Sequence, residues 1–498
     1  MPRTTPMPGP PSSRRPWAIA LLASLLALSG CHAGGRAVEV DTVVLISIDS
    51  LRADHVGVLG YGRPTTPTID SLAERGIVFT RAYSTTSWTL PAHVSMLTGL
   101  EAEAHGVVGI KSTIPASIRT IAERAKRSGV ETAGVYSGPF LQPAFGFDRG
   151  FRTYADCSGI DHDGGGGGVD WVDRPDNHRI AHTRVTNPCV RREVEAWAKG
   201  APREGKRFLF VHLWDVHYDY APPPGYAEVF DPDYRGDTDF SNLTGNPAIA
   251  PQMSPRDLRH LLALYDGEIR WTDDTIAGIL ADLDAAGLLR RSVVVVTSDH
   301  GDEFFDHGGK GHQATLYEEV LRVPLVVAWP GGPAIARRSD EVVSLVDVAP
   351  AICRWLALDC ADLGAGGSLS GAEMPRADRR RDDALAHLAL PFFGDLRSRI
   401  GGDTKVVESS QGTIEFFGPP AYPRSDRAPT ATVGRKDLSQ APAVVRDAVR
   451  AMDARVASAR ERAPREAVPG VRPTAAIDDA TRERLESLGY LPNGGSAP

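Results

Sequence analysis

Runs of apolar, often β-branched residues alternate with amphipathic stretches from residue 41 onward. Runs of this length are typical of strands buried in a sheet. The clearest runs are VVLISI (Val43–Ile48), RFLFVHLW (Arg207–Trp214), SVVVVTS (Ser292–Ser298) and VPLVVAW (Val323–Trp329). The helical patterns are Thr68–Gly76, Ser117–Gly129, Asp257–Gly287 and Ser344–Leu358, and several of them end at glycine. This alternation predicts an α/β domain with a largely buried sheet.

The pattern changes past about residue 370. The apolar runs shorten to TKVVES and TIEFFG, and a charged helical stretch follows near 441–462. A last amphipathic stretch, DDATRERLESLGYL, lies close to the end of the sequence. We expect a main domain at 41–370, then a smaller C-terminal subdomain and tail helices at 371–498.

The first residues have the pattern of an export signal. Three arginines precede the apolar run WAIALLASLLAL (17–28), which is too short to span a bilayer comfortably. The run ends in LSGC, which resembles the lipobox of bacterial lipoproteins, whose cysteine is lipidated; here that residue is Cys31. We predict a lipoprotein signal peptide at 1–30 and a tether at 31–40. The alternative is a secretory signal with an incidental cysteine.

These features predict an exported bacterial lipoprotein of the cell envelope, held to the membrane through lipidated Cys31. His32, rather than aspartate, follows the cysteine. By analogy with lipoprotein sorting, this favours an outer-membrane anchor facing the periplasm or the cell surface.

Charge and cysteine content narrow the partners and the compartment. The formal net charge is −8, and removal of residues 1–30 takes away three arginines and no acid, which leaves −8 − 3 = −11. No basic stripe is present, so nucleic acid is not an expected partner. Four cysteines follow Cys31. In an oxidising compartment their sequence proximity favours the pairs Cys157–Cys189 and Cys353–Cys360, with buried free thiols as the alternative.

Side chains that can bind metals follow three of the predicted strands. Asp49 follows the first strand, Asp299 and His300 follow SVVVVTS, and Asp215 and His217 follow RFLFVHLW. The carboxyl ends of strands in open α/β sheets border one crevice, where ligands bind. Carboxylate oxygens with imidazole nitrogen suit a divalent cation. The sequence therefore predicts a metal site at these strand ends.

The stretch TTSWTLPAHVSMLTG predicts a helix from Thr89 to Thr98, with Pro91 in its first turn and Gly99 just beyond its end. The Thr89 hydroxyl would then lie among free backbone N–H groups that can hold a phosphate or sulfate. Threonine becomes a nucleophile when a divalent metal lowers its pKa. The alternative is an ordinary helix cap, which would contribute about 1 kcal/mol.

The stretch from Val43 to Leu100 resembles the N-terminal third of sulfatases and their relatives in the alkaline phosphatase superfamily. The resemblance continues through HLWDVHYDYAPP (His212–Pro223), YDGEIRWTDDTIAGILADL (Tyr265–Leu283) and VVVVTSDHGDEFFDHGGKGHQATLYEEVLRVPLVVAWPGG (Val293–Gly332). It implies an alkaline-phosphatase-like sandwich, in which helices flank a large mixed, mainly parallel sheet. A smaller C-terminal antiparallel sheet with a helix would complete the fold. It also implies a hydrolase acting on phosphoric or sulfuric ester bonds, or a related phosphotransferase.

The same resemblance assigns roles to individual residues. The metal ligands would be Asp49, Thr89, Asp299 and His300. Thr89 would also be the nucleophile. His217 would contact the substrate ester or its leaving group. Either His312 or Lys310 would provide a basic group near the same oxygen, and the sequence leaves this choice open.

Departures from the sulfatase pattern favour phosphate chemistry. Sulfatases make formylglycine from the Cys or Ser of Cys/Ser-x-Pro-x-Arg, but here the motif runs from Thr89 to His93, and threonine cannot yield that aldehyde. Ser50 stands where many sulfatases have a second aspartate. A metal-bound threonine is found in phosphoryl-transfer branches of the superfamily. We therefore expect a metal-dependent hydrolase or transferase of phosphate mono- or diesters.

Two other functions remain open: a sulfatase that uses threonine directly, and an inactive envelope binding protein with this fold. The spacing of Asp215, His217 and His312 does not match a second metal site. One divalent ion is therefore expected, with Mn²⁺ or Zn²⁺ favoured and Ca²⁺ or Mg²⁺ as alternatives.

Neighbouring polar residues have simpler expected roles. His105 is expected in a turn, His212 as a structural group at a strand end, and Asp347 as a helix cap. Asp302, Glu303 and His307 either orient the ligands or belong to a solvated loop.

Overall fold

The computed structural model describes residues 40–158, 185–332, 336–360, 363, 383–390, 394–419, 426–463, 474–477, 479, 481–482 and 485. The predicted signal peptide (1–30), Cys31, the tether up to residue 39 and the boundary near residue 370 lie outside these residues. None of the helices in the described part of the chain is both long and apolar enough to cross a bilayer.

A nine-stranded mixed sheet and a two-stranded hairpin account for the first eleven strands. They are β1 (Thr42–Ile48), β2 (Gly76–Tyr83), β3 (Glu131–Tyr136), β4 (Thr153–Asp156), β5 (Arg207–Leu213), β6 (Ser292–Ser298), β7 (Glu303–Phe304), β8 (Lys310–Gly311), β9 (Arg322–Val323), β10 (Leu325–Ala328) and β11 (Arg337–Ser344). The sheet order is β11-β2-β10-β6-β1-β5-β3-β4, with β9 also paired to β2, while β7 and β8 form the hairpin. β10 runs antiparallel to β2 and β6, and β1 runs parallel to β5 and β6.

The register of the central strands brings their carboxyl ends to one level. Ile48 at the end of β1 pairs with Leu213 at the end of β5 and with Ser298 at the end of β6. All three strands are buried along their whole length. Asp49 and Asp299, each the next residue of its chain segment, therefore leave the sheet side by side at the same edge.

Helices cover both faces of this sheet. They are α1 (Pro67–Ala73), α2 (Thr89–Thr98), α3 (Ala102–His105), α4 (Ile121–Arg127), α5 (Asn187–Gly200), α6 (Pro255–Ala285), α7 (Glu318–Leu321), α8 (Val348–Trp355) and α9 (Ala443–Glu461). Val43 and Leu45 of β1 pack into a core with residues of α2, α4 and α8. Val44 and Ile46 pack on the other face with residues of α1, α5 and α6. Alternate residues of a strand face opposite sides, so one apolar run supplies both cores.

A second, antiparallel sheet follows in the C-terminal part. Its strands, in order, are β12 (Asp383–Leu390), β13 (Gly394–Gly401), β14 (Thr404–Ser409), β15 (Thr413–Phe417) and β16 (Ala431–Gly434). Leu385 and Val406 pack against Val449 and Met452 of α9. The opposite face, including Ile400, joins a core of the main sheet. The predicted fold class, a mixed sheet with helices and a smaller antiparallel sheet with a helix, is confirmed.

Two local differences from the predicted elements have clear causes. The apolar run Val323–Trp329 is divided between β9 and β10 at Pro324, which has no N–H to donate. The predicted helix from Ser117 begins only at Ile121, because Thr120 forms a reciprocal hydrogen-bonded cap with Glu123. Both predicted disulfides, Cys157–Cys189 and Cys353–Cys360, are formed.

Candidate active site

Two buried carboxylates meet where β1 and β6 end. The Asp49 backbone N–H donates to the carbonyl of Leu213 on β5 at 2.9 Å. Asp299 Oδ1 accepts the backbone N–H groups of Ser50 at 3.2 Å and His300 at 2.9 Å. Both aspartates are fully buried. Asp299 Oδ2 makes no hydrogen bond within the described residues, so it is an unsatisfied buried acceptor.

The Thr89 hydroxyl lies against this pair. Helix α2 begins at Thr89 and ends before Gly99, whose φ of 73° closes the helix in the left-handed conformation. Thr89 Oγ1 donates to Asp49 Oδ2 at 3.3 Å and lies 3.4 Å from His300 Nε2. No side chain caps this helix. The hydroxyl therefore faces the carboxylate cluster and does not serve as an ordinary cap.

His300 turns its second nitrogen toward the same cluster. Its Nδ1 faces the carbonyl of Gly301 at 3.0 Å, which assigns the proton to Nδ1 and leaves Nε2 as a donor of electrons. Nε2 lies 3.7 Å from Asp49 Oδ1 and 3.5 Å from Asp299 Oδ2. Two ligands about 2.1 Å from one cation lie about 3.4 Å apart at the tetrahedral angle. Two carboxylates, an imidazole and a hydroxyl thus fit a divalent cation.

The pKa shifts of Asp49 and Asp299 also favour a bound cation. Burial and the charge of Asp49 raise the pKa of Asp299 well above its usual value. Burial would also raise the pKa of Asp49, but His212, His217 and His300 outweigh it and hold that pKa well below its usual value. Two adjacent buried carboxyls need a proton or a cation between them. A bound cation would displace that proton, so its affinity should increase with pH.

His212, expected to be a structural group at its strand end, also lies against this cluster. In the parallel register it lies level with Ser47 of β1. Its Nδ1 donates to the carbonyl of Ser137 at 2.7 Å, and its Nε2 lies 3.5 Å from Asp49 Oδ2. The ring is fully buried, and Nε2 makes no hydrogen bond within the described residues. Its proximity to Asp49 depends on the pairing of β5 with β1, which the sequence pattern did not show.

His93 is a further residue that sequence analysis missed. It lies one helical turn after Thr89, and its Nδ1 donates to the Thr89 carbonyl at 2.9 Å. Its Nε2 lies 3.0 Å from Ser47 Oγ. Burial lowers the pKa of His93 to about 3, so the ring is neutral. The four-residue spacing from Thr89 on one helix face was the available signal.

His217 and His312 lie close to the cluster. His217 Nδ1 donates to the Tyr218 carbonyl at 2.6 Å, and His312 Nδ1 donates to Asp302 Oδ1 at 2.6 Å. The His312 ring centroid is 4.4 Å from that of His300 and 5.0 Å from that of His217. Asp302 thus orients His312, which is not one of the predicted metal ligands.

Lys310 points elsewhere. Its ammonium group donates to the carbonyls of Asn246 at 2.8 Å and Ile249 at 2.7 Å, so it fastens the loop that contains them. Of the two basic groups that the sequence left open, His312 is the one whose ring contacts the histidine cluster.

The other predicted polar residues hold local structure. Asp215 accepts the backbone N–H groups of Thr186 at 2.6 Å and Asn187 at 3.0 Å, so it anchors the start of α5 and is not a metal ligand here. His105 lies in the short helix α3 with its Nε2 3.1 Å from Ser95 Oγ. Asp347 takes part in a reciprocal cap with Ser344, as expected.

Glu303 and His307 lie on the hairpin side of this region. Glu303 accepts the hydroxyl of Thr315. His307 Nδ1 lies 2.6 Å from Glu319 Oε1, and its Nε2 lies 2.7 Å from the Asp426 carbonyl. None of these contacts involves the metal-ligand candidates, so neither residue orients a ligand directly.

Known proteins of similar sequence belong to a single superfamily of hydrolases. The family model described as sulfatase matches residues 41–358. An arylsulfatase of Clostridium perfringens (strain 13 / Type A) is 24% identical over 386 residues, which cover 68% of this chain and 80% of that protein. The multifunctional alkaline phosphatase superfamily protein PehA of Trinickia caryophylli is 26% identical over 429 residues, which cover 71% of this chain and 77% of that protein.

Among solved structures, a phosphonate monoester hydrolase of Agrobacterium radiobacter has the same fold. Its TM-score is 0.64 at 19% identity, over 85% of this chain and 96% of that chain. The chain belongs to the sulfatase family of the alkaline phosphatase superfamily, and it is an ester hydrolase.

Proposed function

We propose that this protein is a metal-dependent hydrolase or transferase of phosphate esters, with Thr89 as its nucleophile. The observation that carries the proposal is the position of Thr89 Oγ1, between Asp49 Oδ2 at 3.3 Å and His300 Nε2 at 3.4 Å. The hydroxyl lies at the start of α2, where free backbone N–H groups favour a bound anion. Threonine cannot be converted to the aldehyde that formylglycine sulfatases use, so it must act as a hydroxyl.

Asp49, Asp299, His300 and Thr89 would hold the cation, with Mn²⁺ or Zn²⁺ favoured. A cation there would favour the alkoxide form of Thr89 and neutralise charge on a non-bridging oxygen of the substrate. Asp299 Oδ2 and the Nε2 atom of His300 are the buried acceptors that support this assignment.

The chain's own residues would then carry out the transfer. The Thr89 oxygen forms a bond to phosphorus while the bond to the leaving oxygen breaks in line with it, giving phosphothreonine. His312, supported by the Asp302 carboxylate, gives its proton to the leaving oxygen. His217 lies beside His312 and would contact the same ester group. Water, or an acceptor hydroxyl, then attacks phosphorus and gives its proton back to His312, while the bond from phosphorus to the Thr89 oxygen breaks and the Thr89 alkoxide is restored.

A substrate panel with matched variants tests this proposal. The purified protein is supplied with Mn²⁺ or Zn²⁺ and given chromogenic phosphate monoesters, phosphodiesters and sulfate esters. Thr89→Ala should lower kcat/KM at least about a thousandfold, or about 4 kcal/mol, whereas Thr89→Ser should keep most of the activity. Mass spectrometry of acid-quenched wild type should find a phosphoryl group on Thr89.

Thr98→Ala is the matched control. Thr98 is buried at the opposite end of the same helix from Thr89. Its hydroxyl donates to the Val94 carbonyl at 2.6 Å. This variant should keep wild-type turnover. Thr89→Ala with near wild-type activity would refute the nucleophile assignment.

A sulfate ester hydrolase that uses threonine directly is the second candidate, and the family match favours it. Faster turnover of the sulfate than of the phosphate esters in the same panel would support it. The third hypothesis, an inactive binding protein, predicts no turnover of any ester in the panel.

We also propose that the protein is an exported lipoprotein anchored through Cys31 to the outer membrane. The two disulfides support an oxidising compartment. Incorporation of labelled palmitate into the wild type but not into Cys31→Ser tests the lipid anchor. Release of Cys31→Ser into the soluble envelope fraction is the expected result.

A further inference from the structure

We infer that His212 is an additional ligand of the cation and makes the site selective for cations that prefer nitrogen. The inference uses the cation site of the proposed function, but it does not depend on Thr89 as nucleophile or on the substrate. With His300, His212 would give the site two imidazole nitrogens instead of one.

The surroundings of His212 fix which nitrogen is available. Nδ1 lies 2.7 Å from the Ser137 carbonyl, an acceptor only, so Nδ1 carries the proton. Nε2 of the neutral ring then has a lone pair in the plane of the ring. This atom lies 3.5 Å from Asp49 Oδ2, in a side chain that is completely buried.

An electron pair facing a carboxylate oxygen needs a positive charge between them. Nε2 of His212 makes no hydrogen bond within the described residues, and neither does Asp299 Oδ2. Leaving buried acceptors unsatisfied destabilises the folded protein. The ligand atoms of His212, Asp299 and His93 lie within 4.8 Å of one another, so both unsatisfied acceptors border the same small space.

The spacing of His212 matches that of the other ligands. Its 3.5 Å separation from Asp49 Oδ2 equals that between His300 Nε2 and Asp299 Oδ2, and it is close to the 3.3 Å between Thr89 Oγ1 and Asp49 Oδ2. These separations agree with the roughly 3.4 Å expected of two ligands sharing one cation. His212 therefore lies at ligand spacing from Asp49, the carboxylate with which it would share the cation.

His93 is not the extra ligand, although its ring centroid is only 4.9 Å from that of His212. Its Nδ1 donates to the Thr89 carbonyl and its Nε2 pairs with Ser47 Oγ. Both nitrogens are used, so His93 supports the first turn of α2 beside the site.

A second imidazole changes which cations the site prefers. Ca²⁺ and Mg²⁺ take oxygen ligands almost exclusively, whereas Zn²⁺ and Co²⁺ bind imidazole well. The competing account is an imidazolium at His212 that donates from both nitrogens, to Ser137 and to Asp49. That group would be a charge partner of Asp49, and it would not distinguish one divalent cation from another.

Metal binding by the full mature chain separates the two accounts. Metal-free protein is titrated with Zn²⁺, Mn²⁺ or Ca²⁺ alone by calorimetry, with a competing chelator for the tight cases. His212→Asn keeps an N–H near the position of Nδ1 for Ser137 but has no atom at Nε2. His105→Asn is the matched control, because His105 is equally buried but pairs with Ser95 away from the cluster.

His212→Asn should weaken Zn²⁺ binding about a hundredfold or more, beyond what loss of an outer partner causes, and should change Ca²⁺ binding less than about threefold. His105→Asn should leave both affinities unchanged. Equal losses for all three cations, or no loss for any of them, would overturn the inference. Near-ultraviolet circular dichroism of the metal-free variants checks that they fold.

A measurement on the wild type covers the case in which His212→Asn does not fold. The NMR shift of bound cadmium reports how many nitrogen ligands surround the ion. Two nitrogens support ligation by His212, and one nitrogen overturns it. None of these measurements depends on turnover. An unreactive Thr89 would therefore refute the proposed function but leave the metal-binding result unchanged.

Discussion

Replacement of Asp302 by asparagine should slow reactions of poor leaving groups far more than those of good ones. Asp302 Oδ1 accepts the proton of His312 Nδ1 at 2.6 Å, and the other oxygen accepts the hydroxyl of Tyr220. Asp302 and His312 are both buried. If His312 protonates the leaving oxygen, the Asp302 charge stabilises the imidazolium form that donates. Asparagine keeps the shape of Asp302 and removes that charge.

The size of the effect follows from this contact. A buried hydrogen bond to a charged group contributes about 1.5 to 3 kcal/mol. In addition, Tyr220 would hold the asparagine oxygen, so the amide N–H would face His312 Nδ1 and favour the wrong tautomer. We therefore expect kcat/KM for an alkyl phosphate ester to fall about 10² to 10³ fold. A 4-nitrophenyl ester, whose leaving group needs no proton, should lose less than about tenfold.

The assay is kcat/KM for wild type and Asp302→Asn across a series of esters of increasing leaving-group pKa. The variant should show a steeper decline along the series. His217→Asn is the comparison, because the His217 Nδ1 proton goes to the backbone carbonyl of Tyr218. An equal loss at every leaving group in Asp302→Asn would refute the assignment of His312 as the acid.

The remaining predictions concern stability. Burial opposes a charge on His307, but its contacts with Glu319 and Asp426 outweigh burial and raise its pKa to about 9. Charged His307 therefore contributes up to about 3 kcal/mol to the free energy of unfolding. This contribution is complete below pH about 6.5 and is lost as the pH rises through 9. Urea unfolding at pH 7 and 9.5 should show a larger loss for wild type than for His307→Gln, and parallel losses would contradict the charged pair. Loss of Cys157–Cys189, with a sequence separation of 32, should cost about 3 to 4 kcal/mol, against about 2 kcal/mol for Cys353–Cys360, with a separation of 7. The melting temperatures of the two double variants, each with serines in place of one cysteine pair, should follow this order. The reverse order would show that loop length does not control the loss of stability.

The strand ends of the site could be predicted because they depend on local pattern. The apolar run of β1 is buried on both faces, and the first polar residue after it, Asp49, must leave the sheet. The same argument holds for Asp299 after β6. The limits of α2 followed from Pro91 and Gly99, whose backbone preferences act within one or two residues.

Contacts between distant segments were beyond the sequence. Asp215 follows its strand just as Asp49 does, but its carboxylate accepts hydrogen bonds from backbone N–H groups at the start of α5. Lys310 was one of two candidates for the basic group, but its ammonium group donates to two loop carbonyls. No local pattern reveals which backbone group of a remote segment will reach a side chain.

The sequence by itself determined the alternation of strands and helices, the strand ends that carry Asp49 and Asp299, and the helix that begins at Thr89. These features follow from hydrophobic period and backbone preference, which are local. Only the tertiary structure decided that His212 and His93 join the cluster. Their directions depend on the parallel register of β1 with β5 and on the packing of α2 over that register. Side-chain direction at a strand end is set by neighbouring segments that fold onto it, and this information is spread over the whole chain.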